Sequence, residues 1–258
     1  MDKKILNHPC YSEQAKKKNA RVHLPIIKRC NLSCGYCNRL YSCPNENRPG
    51  VTAKIITPEE ALIVVQKAVE TYSALTIIGI AGPGEALAEP ETVYKTLKGV
   101  MDCFPYVNFC LSTNGYALVD NIELIKELKI EFITVTVNTV DPVVAEKIYL
   151  NCDVRQLIEN QIAGIKALVK MGVCVKVNTV AVPNINTDVI ADVAKMAAEI
   201  RAYAHNIMPF YPVEGSKFQD ISAPSEELIE KVRKESSSYI RQLSHCNRCR
   251  ADASGYLC

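Results

Sequence analysis

Arg21 to Arg39 reads RVHLPIIKRCNLSCGYCNR, an apolar, β-rich run that passes directly into three closely spaced cysteines. Its first part, Arg21–Ile27, has the near-continuous hydrophobicity of a strand covered on both faces. Five similar runs follow at Ala74–Gly82, Tyr106–Thr113, Phe132–Asn138, Val173–Val182 and His205–Tyr211. Helical patterns separate them. Thr57-Pro58-Glu59-Glu60 opens the first, with Thr57 as N-cap, Pro58 at the first helical position and Glu60 completing a capping box. Others cover Glu91–Cys103, Asp120–Leu128, Val154–Met171 and Asp188–Arg201, and a last one begins at Ser225-Glu226-Glu227. Six strand–helix repeats predict an α/β fold with a parallel sheet and crossover helices. They occupy about 190 residues, too few for a complete eight-stranded barrel. A six-stranded partial barrel or a doubly wound sheet remains, and either puts function at the C-terminal ends of the strands. No internal repeat or long linker divides residues 1–258. The expectation is one domain, with an N-terminal extension (1–20), a partial barrel (21–211) and a C-terminal extension (212–258).

Composition narrows the function classes. The 258 residues are 48% hydrophobic and 22% charged, and 30 basic against 28 acidic side chains leave a formal charge of +2. No charge excess points to nucleic acid or an anionic membrane. The longest apolar run, Ala74–Ala81, is far short of the roughly 18 residues that span a bilayer. The N-terminal MDKKILNHPCYSEQAKKK has no apolar stretch after its charges, so no secretory signal is expected there. These features predict a cytoplasmic protein.

Twelve cysteines are the unusual number. In a reducing compartment disulfides are rare, so clustered cysteines are read as metal ligands or catalytic groups. Cys30, Cys34 and Cys37 form a C-x3-C-x2-C loop with Cys43 close behind, and Cys246 and Cys249 form a second group. Cys103, Cys152, Cys174 and Cys258 are read as small hydrophobes. A structural zinc site normally closes with four ligands, whereas three thiolates can hold an iron–sulfur cube with one iron left open. Lys16-Lys17-Lys18 is read as a solvated face, Arg250 and Asp252 as a surface ion pair, and His23 as a core histidine.

The C-x3-C-x-aromatic-C loop after the first strand resembles the signature of radical S-adenosylmethionine (SAM) enzymes. The resemblance implies a partial (β/α)6 TIM-like barrel with cluster-binding extensions. It also implies a [4Fe-4S] cluster on Cys30, Cys34 and Cys37 whose open iron chelates SAM. Tyr36 lies in this loop. Ala81-Gly82-Pro83-Gly84-Glu85 stands where the family receives the SAM amino group, although Ala86 replaces the usual proline. Ser112-Thr113-Asn114-Gly115, Asn138 and Asn178 fall at or near later strand ends. By resemblance, Tyr36, Gly82, Gly84, Glu85, Ser112, Thr113, Asn114, Asn138 and Asn178 are candidate cofactor-binding residues.

The flanking residues are more specific. His8-Pro9-Cys10-Tyr11-Ser12-Glu13, Cys43-Pro44-Asn45-Glu46-Asn47-Arg48-Pro49-Gly50 and Cys246-Asn247-Arg248-Cys249-Arg250-Ala251-Asp252-Ala253 together resemble the NifB family of nitrogenase cofactor biosynthesis. Many of its bacterial members carry an extra carrier domain, and this chain resembles the short forms that depend on a separate carrier. Setting aside the SAM loop and the scattered cysteines leaves Cys10, Cys43, Cys110, Cys246 and Cys249. With His8 these are six ligands, enough for two further [4Fe-4S] clusters held as substrates. A preferred division gives His8, Cys10 and Cys110 to one cluster and Cys43, Cys246 and Cys249 to the other, with Glu46 as a displaceable oxygen ligand.

The implied reaction fuses the two clusters around a SAM-derived carbide with an added sulfur. His8, Glu13, Glu46 and Glu85 are candidate bases. Implied partners are a cluster-donating assembly scaffold, a cofactor carrier or nitrogenase cofactor scaffold, and an electron donor such as ferredoxin or flavodoxin. A peptide-modifying radical SAM maturase, an iron–sulfur electron carrier and a zinc-stabilised structural protein are the competing readings.

Overall fold

The computed structural model describes residues 3–45, 47–246 and 248–257. The expectations for Glu46 and Cys258 therefore fall outside the described residues. Strands β1 (Ala20–His23), β2 (Leu75–Ile80), β3 (Asn108–Thr113), β4 (Phe132–Thr136), β5 (Cys174–Ala181) and β6 (Ala204–Pro209) pair in chain order, each parallel to the next. The six expected strands are thus present, one to three residues shorter at most ends. A seventh, β7 (Ser254–Gly255), pairs antiparallel with β1 and makes the full order β6-β5-β4-β3-β2-β1-β7. The sheet is an open, curled half-barrel. Two residues without β-branching carry no strand pattern, which is why sequence reading misses β7.

Alternation along the strands decides the layers. Val22, Ile78, Phe109, Leu111, Ile133, Val135, Val175 and Val177 point outward into the main apolar core, shared with the helices. Those helices are α2 (Pro58–Thr71), α3 (Pro90–Cys103), α4 (Ile122–Glu127), α6 (Val154–Lys170) and α7 (Ile190–Glu199), while α8 (Glu226–Ser237) packs Ile229 and Val232 on a smaller cluster with Ala181, Ile190 and Ile207. The capping box at Thr57 forms as expected, with Thr57 and Glu60 each accepting the other's backbone N–H. Two short helices, α1 (Lys3–Asn7) and α5 (Pro142–Ile148), were not expected. Asp141 caps α5 through the Val143 N–H at 2.8 Å.

The inward positions carry different chemistry: Arg21 and His23 on β1, Gly79 on β2, Cys110 and Ser112 on β3, Thr134 on β4, and Lys176 and Asn178 on β5. The two chain extensions close over this face. Tyr11 donates its hydroxyl to the Ile133 carbonyl at 3.1 Å, and His23 N–H bonds the Ala253 carbonyl at 2.8 Å. Leu257 N–H reaches the Lys16 carbonyl at 3.0 Å, so the two extensions also hold one another.

Candidate metal and cofactor site

The C-x3-C-x2-C loop is clamped by the end of α5. Gly35 N–H bonds the Ile148 carbonyl at 2.7 Å, Leu150 N–H bonds the Ser33 carbonyl at 2.8 Å, and Ser33 N–H bonds Asn151 Oδ1 at 2.6 Å. Beneath it, the glycine-rich turn packs against the loop's start. Gly84 and Glu85 donate their N–H groups to the carbonyls of Ile27 and Arg29, both at 2.8 Å. A Cβ on Gly84 would stand 2.1 Å from the Arg29 carbonyl oxygen, so only glycine fits. Gly82, at φ +100°, lies against Asn47, whose side chain donates to the carbonyls of Cys43 and Ala81.

Glu85 is buried and fully engaged. Its carboxylate accepts from Thr113 Oγ1 at 2.5 Å, Asn114 N–H at 2.6 Å and Leu87 N–H at 3.1 Å. Burial pushes its pKa up and these donors pull it back, with burial dominant. Asn114 extends the chain of contacts: its Nδ2 donates to Asn31 Oδ1 at 2.8 Å and lies 3.9 Å from Cys30 Sγ. Glu85, Thr113 and Asn114 thus join the ends of β2 and β3 to the first cysteine of the loop. Tyr36 and Asn138 are sealed inside. Asn138 Nδ2 donates to the hydroxyls of Tyr36 at 2.6 Å and Tyr149 at 3.0 Å, and its Oδ1 accepts the Val180 N–H at 3.0 Å. With its side-chain amide engaged by Tyr36, Tyr149 and Val180, Asn138 anchors the cysteine loop.

The thiols are tuned alike. Burial raises Cys30 to about 11 and holds Cys34 well above the ordinary thiol range, with the neighbouring thiols adding to the effect on Cys34. Metal loading must therefore displace protons. Three soft donors on one rigid loop, near a partly open groove lined by Cys30, Asn31 and Tyr116, suit an iron–sulfur cluster with one exposed iron.

A second group of thiols surrounds a cavity on the inner face of the sheet. It is lined by Cys10, Cys110, Cys246 and Cys249, with His23, Ser112, Thr134, Lys176 and Asn178 between them. Three separate stretches of chain thereby bring their sulfurs to one space. Gly79 makes room: a Cβ there would meet the His23 ring at 2.9 Å. His23, expected as a core histidine, instead lines the cavity, and its Nδ1 lies 3.2 Å from the Arg250 carbonyl. Burial, with Arg21 beside it, lowers His23 to about 4. Arg21 donates to Cys249 Sγ at 3.0 Å and to the carbonyls of Gly255 and Tyr256.

Cys10, pushed up to about 12 by burial, shares its cavity with Cys110, its partner in the preferred division, and with Cys246 and Cys249. His8 and Cys110 meet at Phe132: the His8 ring centroid is 4.4 Å from that of Phe132, whose backbone is registered opposite Cys110. The His8 Nδ1 accepts the Cys10 N–H at 3.1 Å, leaving a buried Nε2 without a protein partner, as a ligand nitrogen requires. Cys43 feels Cys37, Cys30 and Cys34, yet its loop also touches the C-terminal group through Arg48 N–H and the Cys249 carbonyl at 3.3 Å.

Among the described residues no three His, Cys, Asp or Glu side chains converge on a single ion. Glu13 is exposed and lies outside the cavity lining. Arg250 and Asp252 form the expected surface ion pair, at 2.7 Å. Of the cysteines read as small hydrophobes, Cys103 is exposed and Cys174 begins β5 on its inner face.

Arg21 and Lys176 were missed by sequence reading. Their signal was present in the alternation: VCVKVNT places Cys174, Lys176 and Asn178 on one face of an otherwise apolar strand, and RVH does the same for Arg21 and His23.

A half-barrel carrying a three-thiol loop at the end of its first strand, with a glycine-rich turn beside it, defines a class. The sequence model of the Radical SAM superfamily matches residues 24–197, so the chain belongs to that superfamily of enzymes. A radical SAM methyltransferase from Sphaerobacter thermophilus shares the fold, with a TM-score of 0.63 at 16% identity over 87% of this chain and 64% of that one. More specifically, the chain is similar to the FeMo cofactor biosynthesis proteins NifB of Chlorobaculum tepidum and Bradyrhizobium diazoefficiens. It is 35% and 38% identical to them, in each case over 98% of its own length. It spans 62% and 54% of those relatives. No described helix is long and apolar enough to cross a membrane.

Proposed function

We propose that this protein is a NifB-type radical SAM enzyme that builds an iron–sulfur precursor of the nitrogenase cofactor from two four-iron clusters. The observation that carries the reading is the cavity where Cys10, Cys110, Cys246 and Cys249 meet on the inner face of the half-barrel. An electron carrier needs no second thiol-lined space, and a peptide-modifying enzyme would need its cavity for peptide. The SAM-loop cluster and SAM, when bound, supply a methyl group and a carbon-centred radical.

The chain's own residues do the rest. Cys30, Cys34 and Cys37 hold the reactive cluster at the strand ends, and Glu85, Thr113 and Asn114 fix the loop beside them. Cys10, Cys246 and Cys249 form one ligand set for a substrate cluster. His8 and Cys110 serve the other, with Cys43 between that space and the SAM loop and Glu46 as an oxygen ligand. Ser112 and Asn178 line the space between. With Nδ1 accepting the Cys10 N–H and Nε2 given to iron, His8 has no ring nitrogen left to act as a base, and Glu85 is already committed to three donors. A cluster-donating scaffold, a carrier for the product and a low-potential electron donor complete the system.

The test is iron and acid-labile sulfide per chain after anaerobic reconstitution. About twelve iron, three four-iron clusters, is expected, followed by activation of cofactor-free nitrogenase with the SAM-treated product. About four iron would reduce the protein to a simple radical SAM enzyme. Cys10→Ala, Cys246→Ala and Cys249→Ala should each remove the same cluster.

A further inference from the structure

The inner face of the half-barrel buries positive charge among thiols. Lys176, 6% exposed, stands in the middle of β5, and its ammonium lies 5.2 Å from the Tyr11 ring centroid. Arg21, 5% exposed, reaches the same space from β1 and touches Cys249. Among the described residues the cavity lining contains Lys176 and no carboxylate.

A four-iron cluster held by thiolates is an anion, with sulfides that accept hydrogen bonds. Such bonds, with net charge and burial, are what set cluster potentials. An ammonium is a compact point charge on a flexible stem, with three rotatable donors that can meet a sulfide.

We propose that Lys176 is a positioning residue for the cluster-joining step. Its ammonium donates to a sulfide of the cavity-bound cluster and supplies the fixed positive charge that lets two anionic clusters lie side by side. Arg21, on β1, supports it by holding Cys249 in place. The inference rests on the two-cluster reading above. It adds a residue outside every ligand set, and a role in bringing together two substrates that otherwise repel one another.

The test compares wild-type, Lys176→Arg, Lys176→Met and Lys176→Gln proteins, reconstituted anaerobically without turnover. Iron per chain is counted, and each cluster is titrated by EPR-monitored reduction. The SAM-loop cluster is recognised by its response to added SAM. Loss of the charge should make reduction of the SAM-insensitive clusters at least tenfold less favourable, a 59 mV downward shift for one electron, or cost part of their iron. Lys176→Arg should stay near wild type, and the SAM-responsive cluster should be unchanged in all four proteins. A merely structural lysine would not split the clusters in this way.

Full iron and unshifted potentials in the Met and Gln variants would overturn the inference and leave the two-cluster reading intact. So would an Arg variant as altered as the Met variant. Wild-type protein that takes up only about four iron would overturn both. Should Lys176→Met lose the SAM-responsive signal as well, the Gln and Arg pair decides by the same criteria.

Discussion

At the scale of single residues, the polar groups buried beneath the site govern how the protein tolerates acid and mutation. His205 on β6 is wholly buried, its Nε2 2.9 Å from Thr179 Oγ1, and burial alone lowers it from 6.5 to about 3. The unfolded chain therefore binds a proton that the folded chain refuses. This contribution to stability is full above pH 6.5 and is lost as pH falls toward 3. The loss is about 2 kcal/mol between pH 8 and pH 5. Urea titrations at the two pH values should show His205→Gln losing about 2 kcal/mol less than wild type over that interval; equal losses would mean that His205 takes up a proton in the fold. Asn138 makes a different point. Removing its side chain strands the Val180 N–H and two tyrosine hydroxyls, so Asn138→Ala should cost about 3 kcal/mol by urea midpoint, and loosen iron on the Cys30 loop. A variant of wild-type stability that only weakens SAM binding would return Asn138 to the cofactor. Reading the sequence alone finds this asparagine by its place at a strand end, but cannot show that its hydrogen bonds are already taken.

At the scale of elements, β7 is two residues long and carries much of the C-terminal thiol loop's placement. Gly255 sits at φ +104° and an added Cβ would lie 3.2 Å from the Tyr72 hydroxyl, whose ring meets Tyr256 edge-on. A branched side chain cannot take that backbone conformation without strain of about 1–3 kcal/mol. Gly255→Val should therefore release β7 from β1, and with it the Arg21 contacts to the Gly255 and Tyr256 carbonyls. Limited proteolysis should then cut within residues 243–257 first, while iron falls by about one cluster and the Cys30 loop stays loaded. Cleavage at wild-type rates with full iron would show that the thiol pair is held without β7. The contrast with the rest of the sheet is instructive. β1 to β6 were legible because each lies in a largely apolar, β-prone run set off by helical patterns, and Thr57 announced α2 by its capping box. β7, α1 and α5 are short, and their positions come from tertiary contacts. The Cys30 loop was legible through ligand spacing, whereas the meeting of Cys10 with Cys246 and Cys249 depends on where the chain ends fold back.

At the scale of the whole molecule, an open sheet leaves its inner face exposed, and this protein covers it with its two extensions. Tyr11 fixes the first to β4, His23 receives the second on β1, and Leu257 bonds to Lys16 across the junction. Each extension brings thiols that face the other, so a cluster shared by Cys10, Cys246 and Cys249 would bind both to the barrel at once. A ligand that binds only the closed arrangement stabilises it by mass action. Opening of the extensions and release of such a cluster would then be one event. Amide hydrogen exchange before and after cluster loading would read this directly. Loading should slow exchange at least tenfold, about 1.4 kcal/mol of added protection, in residues 5–19 and 243–257. The amides of α2, α3 and α6, packed on the outer face, should hardly change. The strongest individual reporters are the amides of His23, Arg48 and Leu257, which join the extensions and the Cys43 loop to their neighbours. Slowing confined to residues 30–37 would mean that the extensions bind no cluster. Equal slowing throughout the sheet would mean that loading stabilises the fold as a whole, with no selective closure of its ends.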